Sequence, residues 1–225
     1  THNGVGPSFR GLVVCNGEPP SDELLTREEA RADLVVYTDG AAGRVGPGER
    51  RMDVIIGDMD SVTGPVRGAQ VVDAGPHDVQ EDSDSEKAVL YCIASAEERG
   101  ISGRDQVSTR ILGGAGLRMD HTLANVLLCI RYADRADVRL VGDGWELWGA
   151  LGRTPLDLQP GAIVSLLPMG PGVHIKTHGL RWPLDEIVAQ GSRGLSNEVL
   201  REDAAIEVAG GPVAVVVRSD GEETG

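Results

Sequence analysis

Basic residues are in short supply in this chain. Its 225 residues include 21 lysines and arginines against 35 aspartates and glutamates, a formal charge of −14. Nucleic acid and anionic membrane both require a basic face, so this balance argues against either as a partner. Aromatic residues are also scarce, with three Trp, three Tyr and one Phe. Cysteine is limited to Cys15, Cys92 and Cys129, far apart and without a C-x-x-C pair. That spacing suggests neither a zinc site nor a disulfide framework, and the three read as buried reduced thiols of a cytoplasmic protein. No apolar run approaches the length of a membrane span, and no signal peptide is visible. What remains is a soluble chain long enough for one large domain or two small ones, with a real core.

Short runs rich in Val, Ile and Leu recur at 12–15, 34–37, 54–56, 70–72, 107–112 and 138–141. Continuous apolar runs of this kind are strands buried on both faces of a parallel sheet. Helical stretches lie between them. Ser21 is a cap for a helix through Glu29-Ala30, and Ser83 with Glu86 forms a capping box for a helix to about Arg99. Leu123, Val126, Leu127 and Ile130 follow the helical repeat, which predicts a helix over 122–132 that buries their face. Alternating strands and helices define an α/β domain. The pattern changes near Trp145. Beyond it come β-prone runs at 146–151, 162–167, 173–177, 205–208 and 213–218, separated by Gly and Pro. They predict a small antiparallel sandwich or barrel, with a domain boundary near residue 144.

Three aspartate-bearing motifs stand in the α/β part: Gly57-Asp58-Met59-Asp60-Ser61, Glu81-Asp82-Ser83-Asp84-Ser85-Glu86-Lys87, and a glycine loop from Gly113 through Arg118 to Asp120-His121. In an extended segment Asp58 and Asp60 point to one side, where a divalent cation would relieve their repulsion. An ordinary turn explains them equally well. Asp82 and Asp84 flank a helix start, where acids stabilise the dipole by about 0.3–1 kcal/mol without any metal. Lys87 one turn later is either a phosphate ligand or a surface partner of Asp84. Two Asp-x-Asp pairs on one sheet favour Mg²⁺, a hard cation that shares oxygen ligands with substrate phosphates. Gly114 and Gly116 allow close backbone approach to phosphate, and Arg118 offers a planar fork. Asp120 also suits an N-cap, and a lone His121 is not read as a metal ligand. The residues thus point to a Mg-nucleotide site at the carboxyl ends of a parallel sheet. Farther on, Trp182 lies beside Arg181 and Pro183, and Ser196-Asn197 follows. Core packing is the expectation for the ring, with stacking on a flat ligand as the alternative.

The order of these motifs resembles the thiamine pyrophosphokinase family. The matching segments are Thr38-Asp39-Gly40-Ala41-Ala42, the two Asp-x-Asp motifs, 114–125, 179–184 and Ser196-Asn197-Glu198. Two departures are Ser83, where the family commonly has Thr, and Leu117, where it commonly has Gly. The resemblance implies an N-terminal Rossmann-like domain (1–144) for nucleotide and Mg²⁺, then a smaller all-β sandwich domain (145–225) for thiamine and dimerisation. It implies a homodimer that transfers pyrophosphate from ATP to the thiamine hydroxyl, releasing AMP. By this resemblance Asp58, Asp60, Asp82 and Asp84 are metal ligands, and one of them or Asp120 takes the hydroxyl proton. Asp39, Ser61, Lys87, Gly114, Gly116 and Arg118 face nucleotide or phosphate. Gln80, Trp182, Ser196 and Asn197 face thiamine. A pyrophosphokinase for a hydroxymethylpterin-type alcohol, or a silent nucleotide- or thiamine-binding module, are the alternative readings.

Overall fold

The computed structural model describes residues 8–45, 50–58, 69–73 and 82–218. Three expected site residues, Asp60, Ser61 and Gln80, lie outside the described residues. The described fold is mixed α/β and rich in sheet. Strands β1 (Phe9–Val14), β2 (Leu34–Thr38), β3 (Val54–Gly57), β4 (Gln70–Asp73), β5 (Val107–Leu112) and β6 (Asp137–Gly142) are all parallel, in the order β6-β5-β1-β2-β3-β4. Every apolar run in this half is therefore a strand.

The sheet is covered on both faces, which is why these runs are continuously apolar. On one face, Phe9 and Val13 pack under α3 (Asp84–Glu98) and α4 (Met119–Arg131). On the other, Leu12 and Val14 pack under α1 (Asp22–Arg31) and the four-residue α2 (Asp39–Ala42). Ser21 caps α1, its Oγ accepting from the Leu24 N–H at 3.2 Å. Ser83 caps α3, accepting from the Glu86 N–H at 3.3 Å. Only half of the expected capping box forms. The Glu86 carboxylate is drawn away to accept from Arg131 Nη1 at 2.8 Å and from the Tyr132 hydroxyl, tying α3 to α4.

The face of α4 also differs from expectation. Asn125, Leu128 and Cys129 are its buried residues, whereas Leu123 and Leu127 are more than half exposed. The apolar positions wrap too far round the helix for periodicity to choose the face. What chooses it is the sheet: Gly149 meets α4 so closely that a Cβ there would lie 2.6 Å from the Cys129 carbonyl oxygen.

Beyond β6 the strands turn antiparallel. β7 (Trp145–Pro155) pairs with β6 and, along its length, with β12 (Ala205–Arg218). The runs at 205–208 and 213–218 are one strand, with a register shift between Val208 and Val213. Its first half pairs with β9 (His174–His178) and its second with β8 (Ile163–Pro168). Short β10 (Asp185–Ile187) and β11 (Asn197–Glu198) extend β9 and β8. A third core, around Trp148, Leu166, Ile175 and Val215, fills this region. Hydrogen bonding crosses residue 144 without a break, through the β6–β7 pair. All three cysteines are buried and unbridged, and no helix among the described residues is long and apolar enough to cross a membrane.

The Gly149 contact makes a test. Gly149→Ala should destabilise the protein by roughly 1–3 kcal/mol, because α4 must shift off the sheet. Urea unfolding reads this directly. An unchanged midpoint would mean that α4 is not seated as described.

Candidate active site

In this strand order the chain departs in opposite directions on either side of β1, between β2 and β5. A crevice opens at such a switch point, at the carboxyl ends of the strands. Here it is a cavity of about 240 Å³ whose lining includes Asp39, Asp84, Gly114, Gly116 and Arg118. Five of the residues expected from sequence thus come together from three separate loops.

The floor is backbone. The turns after β1 and β5 continue the ladder past the strands: the Cys15 N–H donates to Leu112 O at 2.8 Å, Gly17 to Gly113 O at 2.7 Å and Glu18 to Ala115 O at 2.8 Å. This contact demands glycine, since a Cβ at Gly17 would lie 2.3 Å from the Gly113 oxygen. Asn125, buried on α4, donates from Nδ2 to Gly114 O at 2.7 Å and fixes the loop from beneath. The loop ends at Leu117, whose φ of 52° is left-handed. The backbone there is one that glycine adopts without cost and leucine does not.

The acids occupy one wall. Asp39 opens α2 and is buried, with its Oδ1 accepting from the Gly40 N–H at 2.5 Å. Gly57 gives it room, for a Cβ at that position would fall 2.4 Å from Asp39 Cγ. Burial pushes the Asp39 carboxyl above the ordinary aspartate range; the Gly40 N–H opposes this, and the charges of Asp84 and Asp58 push the same way as burial. Lys87 Nζ stands 3.8 Å from Asp84 Oδ1, the one-turn pairing seen in the sequence.

Other expected residues fall elsewhere. Asp82 precedes the cap of α3, does not line the cavity, and its charge bears on Tyr132 instead. Asp120 is not the N-cap of α4, because Arg118 holds that position. Arg118 instead forks onto the Asp120 carboxylate through Nε and Nη2. That hydrogen bonding holds Asp120 well below the usual carboxylate range, at about 2.

Trp182 is not core, being 53 % exposed. Its loop is pinned by Asn197, whose Oδ1 accepts from the Trp182 N–H at 3.1 Å while Nδ2 donates to the Trp182 carbonyl at 2.7 Å. The buried Asn197 amide is thereby spent on positioning the ring. Ser196 is exposed and left-handed, its N–H donating to Ser165 Oγ at 3.0 Å.

Sequence reasoning missed Asn16 and Ser85 in the cavity wall, and gave Asn125 no role. Ser85 Oγ and Cys15 Sγ share a hydrogen bond of 3.3 Å, and burial pushes the Cys15 thiol up to about 11. Only Asn125 carried a signal, as a polar residue on the face of α4 that must be paired if buried.

The donor set suits a hard cation: carboxylate oxygens that repel one another on one wall. Among the described residues no group of three His, Cys, Asp or Glu is close enough to cage a metal alone. Mg²⁺ does not need such a cage, since it is held by one or two carboxylates, waters and substrate phosphates. The residues therefore fit it.

Fold and pocket together define an α/β protein with its ligand crevice at the switch point of a parallel sheet. Residues 25–141 match the thiamin pyrophosphokinase catalytic domain, and residues 153–211 match the thiamin pyrophosphokinase vitamin B1 binding domain. The chain belongs to the thiamin pyrophosphokinase family. It is 32% identical to thiamine pyrophosphokinase 1 of Arabidopsis thaliana over 87% of this chain and 81% of that protein. The rice (Oryza sativa subsp. japonica) thiamine pyrophosphokinase 1 is 29% identical over 88% of this chain and 82% of its own. Among solved structures, the thiamin pyrophosphokinase of Geobacillus thermodenitrificans superposes with a TM-score of 0.75 at 20% identity, covering 95% of this chain and 99% of that one. The yeast enzyme gives 0.75 at 18%, covering 96% and 87%. These matches lend no support to a pterin-type pyrophosphokinase or a silent binding module.

Leu117 supplies a test of the loop. A left-handed non-glycine residue costs about 1–2 kcal/mol, and a glycine returns about half of that as freedom in the unfolded chain. Leu117 is 74% exposed and has few contacts to lose. Leu117→Gly should therefore stabilise the protein by about 0.5–1 kcal/mol in urea unfolding. A net loss would mean that the leucine side chain holds the loop.

Proposed function

We infer that this chain catalyses pyrophosphoryl transfer from ATP to the hydroxyl of thiamine, yielding thiamine diphosphate and AMP. The observation that carries this is the convergence of Asp39, Asp84, Arg118 and the glycine loop on one cavity, in a chain whose two halves match the two domains of one family. We further propose that residues 1–144 serve nucleotide and Mg²⁺, and that 145–225 serve thiamine and dimerisation.

In this reading ATP lies with its phosphates against the loop 113–116. Backbone amides and Arg118 bind the phosphate oxygens, and Lys87 stands one turn into α3 to add a second positive charge. Asp58 and Asp84, with Asp39 beside them, are the carboxylates that would hold Mg²⁺, whose chemistry is to neutralise charge on the phosphates. The thiamine hydroxyl attacks the β-phosphorus, the bond to the AMP oxygen breaks, and the hydroxyl proton passes to a carboxylate of the acidic wall. Asp120 is a poor acceptor because Arg118 holds it ionised; its part is to orient the guanidinium. Reactions of this kind depend on positioning and charge neutralisation more than on covalent help.

Trp182 offers an exposed ring to the cationic, aromatic thiamine, with Asn197 fixing its backbone. Its loop belongs to the antiparallel region, and the phosphate loop to the parallel one. We propose a homodimer in which one chain supplies each. Support comes from exposed apolar side chains on both parts: Met119, Leu123 and Leu127 along α4, and Trp182, Ile187, Leu195 and Leu200 in the β region. Clustered exposed apolar residues mark contact surfaces. Cytoplasmic location is proposed on the reduced cysteines alone.

Release of AMP from Mg-ATP and thiamine is the primary test. Asp84→Asn should lower kcat by orders of magnitude with the fold retained, and near-normal turnover at saturating Mg²⁺ would refute the assigned site. Arg118→Lys should lower kcat more than it weakens thiamine binding, because lysine lacks the planar fork. For the shared pocket, an Asp84→Asn subunit is mixed with a Trp182→Ala subunit. Partial recovery of activity on subunit exchange is expected, since some heterodimer sites carry neither lesion. Demonstrated exchange without recovery would place the whole pocket in one chain.

A further inference from the structure

A second, larger cavity of about 480 Å³ lies on the α1 face of the sheet. It is far from the crevice: Arg10, on its floor, is five residues before Cys15, or roughly 16 Å along an extended strand. Strand register builds the floor. Arg10 of β1 is opposite Ser108 of β5, which is opposite Asp137 of β6. One row on, Leu12 is opposite Arg110, and Arg110 is opposite Arg139. Residues two apart share a face, so both rows look out on the same side. Glu28 and Arg31 of α1 form the opposing wall.

Four arginines against two acids line this groove, in a chain of net charge −14. Arg139 is already engaged. Its Nε donates to Asp137, its Nη1 donates to Glu146 at 3.0 Å, and its guanidinium stacks 4.3 Å above the Trp148 ring. Asp137 is thereby spent on Arg139. Arg110 is served less well: its Nη1 is buried without a hydrogen-bond partner and reaches Asp137 Oδ2 only as a long ion pair of 3.7 Å. Burial pushes the Arg110 guanidinium down from its ordinary range, and the neighbouring Arg139 charge pushes it further. The Arg10 side chain has no ion-pair partner among the described residues, and Arg31 stands 3.7 Å from Glu28 at the rim. Buried donors are nearly always paired, so an unsatisfied Nη1 on an arginine that lines a cavity points to an acceptor not supplied by the chain.

We propose that this groove binds a phosphate-class oxyanion, with Arg110 and Arg10 as donors on the floor and Arg31 as the cation at its rim. Guanidinium groups from three elements around one cavity match an anion with acceptors in several directions, which a tetrahedral phosphate has and a planar carboxylate does not. The Ser108 hydroxyl adds a neutral donor between Arg10 and Asp137. No ring is exposed in the groove to stack on a base, since Trp148 lies buried beneath Arg139. The ligand is therefore inorganic phosphate or a small phosphomonoester rather than a second nucleotide. This inference does not depend on the proposed reaction.

The test is thermal unfolding of the intact protein titrated with inorganic phosphate, and separately with glycerol phosphate. It is run on the wild type and on Arg110→Met, Arg31→Ala and Arg118→Met. A saturable rise in Tm is expected for the wild type and for Arg118→Met. Arg110→Met should weaken the half-saturating concentration by about tenfold or more, the loss of one hydrogen bond to a charged group. Arg31→Ala, an exposed change at the rim, should weaken it by less and guards against misfolding of the buried variant. Tighter binding of glycerol phosphate would identify an ester as the ligand, and equal or weaker binding inorganic phosphate. No saturable response, or one that survives Arg110→Met and Arg31→Ala but vanishes in Arg118→Met, would overturn the site.

Discussion

The arrangement at the carboxyl ends of the sheet depends on one close backbone contact, between residues 15–18 and 112–115. Parallel strands normally part where their helices begin. Here three further hydrogen bonds hold the turns together after β1 and β5 have ended. The contact leaves no space for side chains, so Gly17 and Gly113 are compelled, and Gly113 adopts a φ of 62°. It also leaves the glycine loop only one route, over the top of β5 and down into α4. Arg118 therefore arrives beside the cavity rather than out in solvent on a longer excursion. On the other side of β1, the same crowding brings Asn16 against Gly40, where a Cβ would lie 2.4 Å from Asn16 Nδ2, and so brings Asp39 in next to the glycine loop.

Charge is organised against the average of the chain. The acids that gather at Asp39, Asp58 and Asp84 raise one another's cost: Asp39 is displaced upward first by its burial, and the charges of Asp84 and Asp58 add to that. Such a group is unfavourable for stability and persists because burial, Gly40 and Gly57 over-determine its position. The scarce basic residues are placed with similar economy. Arg118 forks onto an acid at the mouth of the crevice, Arg131 joins two helices through Glu86, and Arg139 stacks on Trp148 between two carboxylates. An average charge excludes partners for the whole surface, but it says nothing about where a minority sign is concentrated.

This explains what sequence could and could not disclose. The strands of the parallel half and the helices capped by Ser21 and Ser83 were legible because each is specified by local chemistry. So were Asp39, Asp84 and the glycine loop, whose motifs sit on strand ends that a parallel sheet must gather. The face of α4 was not legible, since Leu123, Val126, Leu127, Leu128 and Ile130 cover more of the helix than one face and only Gly149 decides between them. Residue type alone makes Trp182 core and only the resemblance places it at a ligand; a two-way backbone clamp from Asn197 holds the exposed ring's loop in place. The two runs flanking Gly210-Gly211 looked like separate strands, because a register shift is invisible without the partner strand. The arginine groove required the two registers that join β1, β5 and β6, together with α1, and no single segment contains it.

The unbroken pairing of β6, β7 and β12 has a consequence for how the molecule comes apart. Strand β12 is shared, giving its first half to β9 and its second to β8, while β7 lies along both halves. Neither edge of the antiparallel region can peel away without stripping partners from the same strand, β12. Opening β7 would in turn expose the edge of β6 and the underside of α4. Amide hydrogens in β6, β7 and β12 should therefore exchange with one common opening energy, close to that of global unfolding, whereas those of β10 and β11 exchange by local fraying. Two regions with separate chemistry would then melt as a single cooperative body.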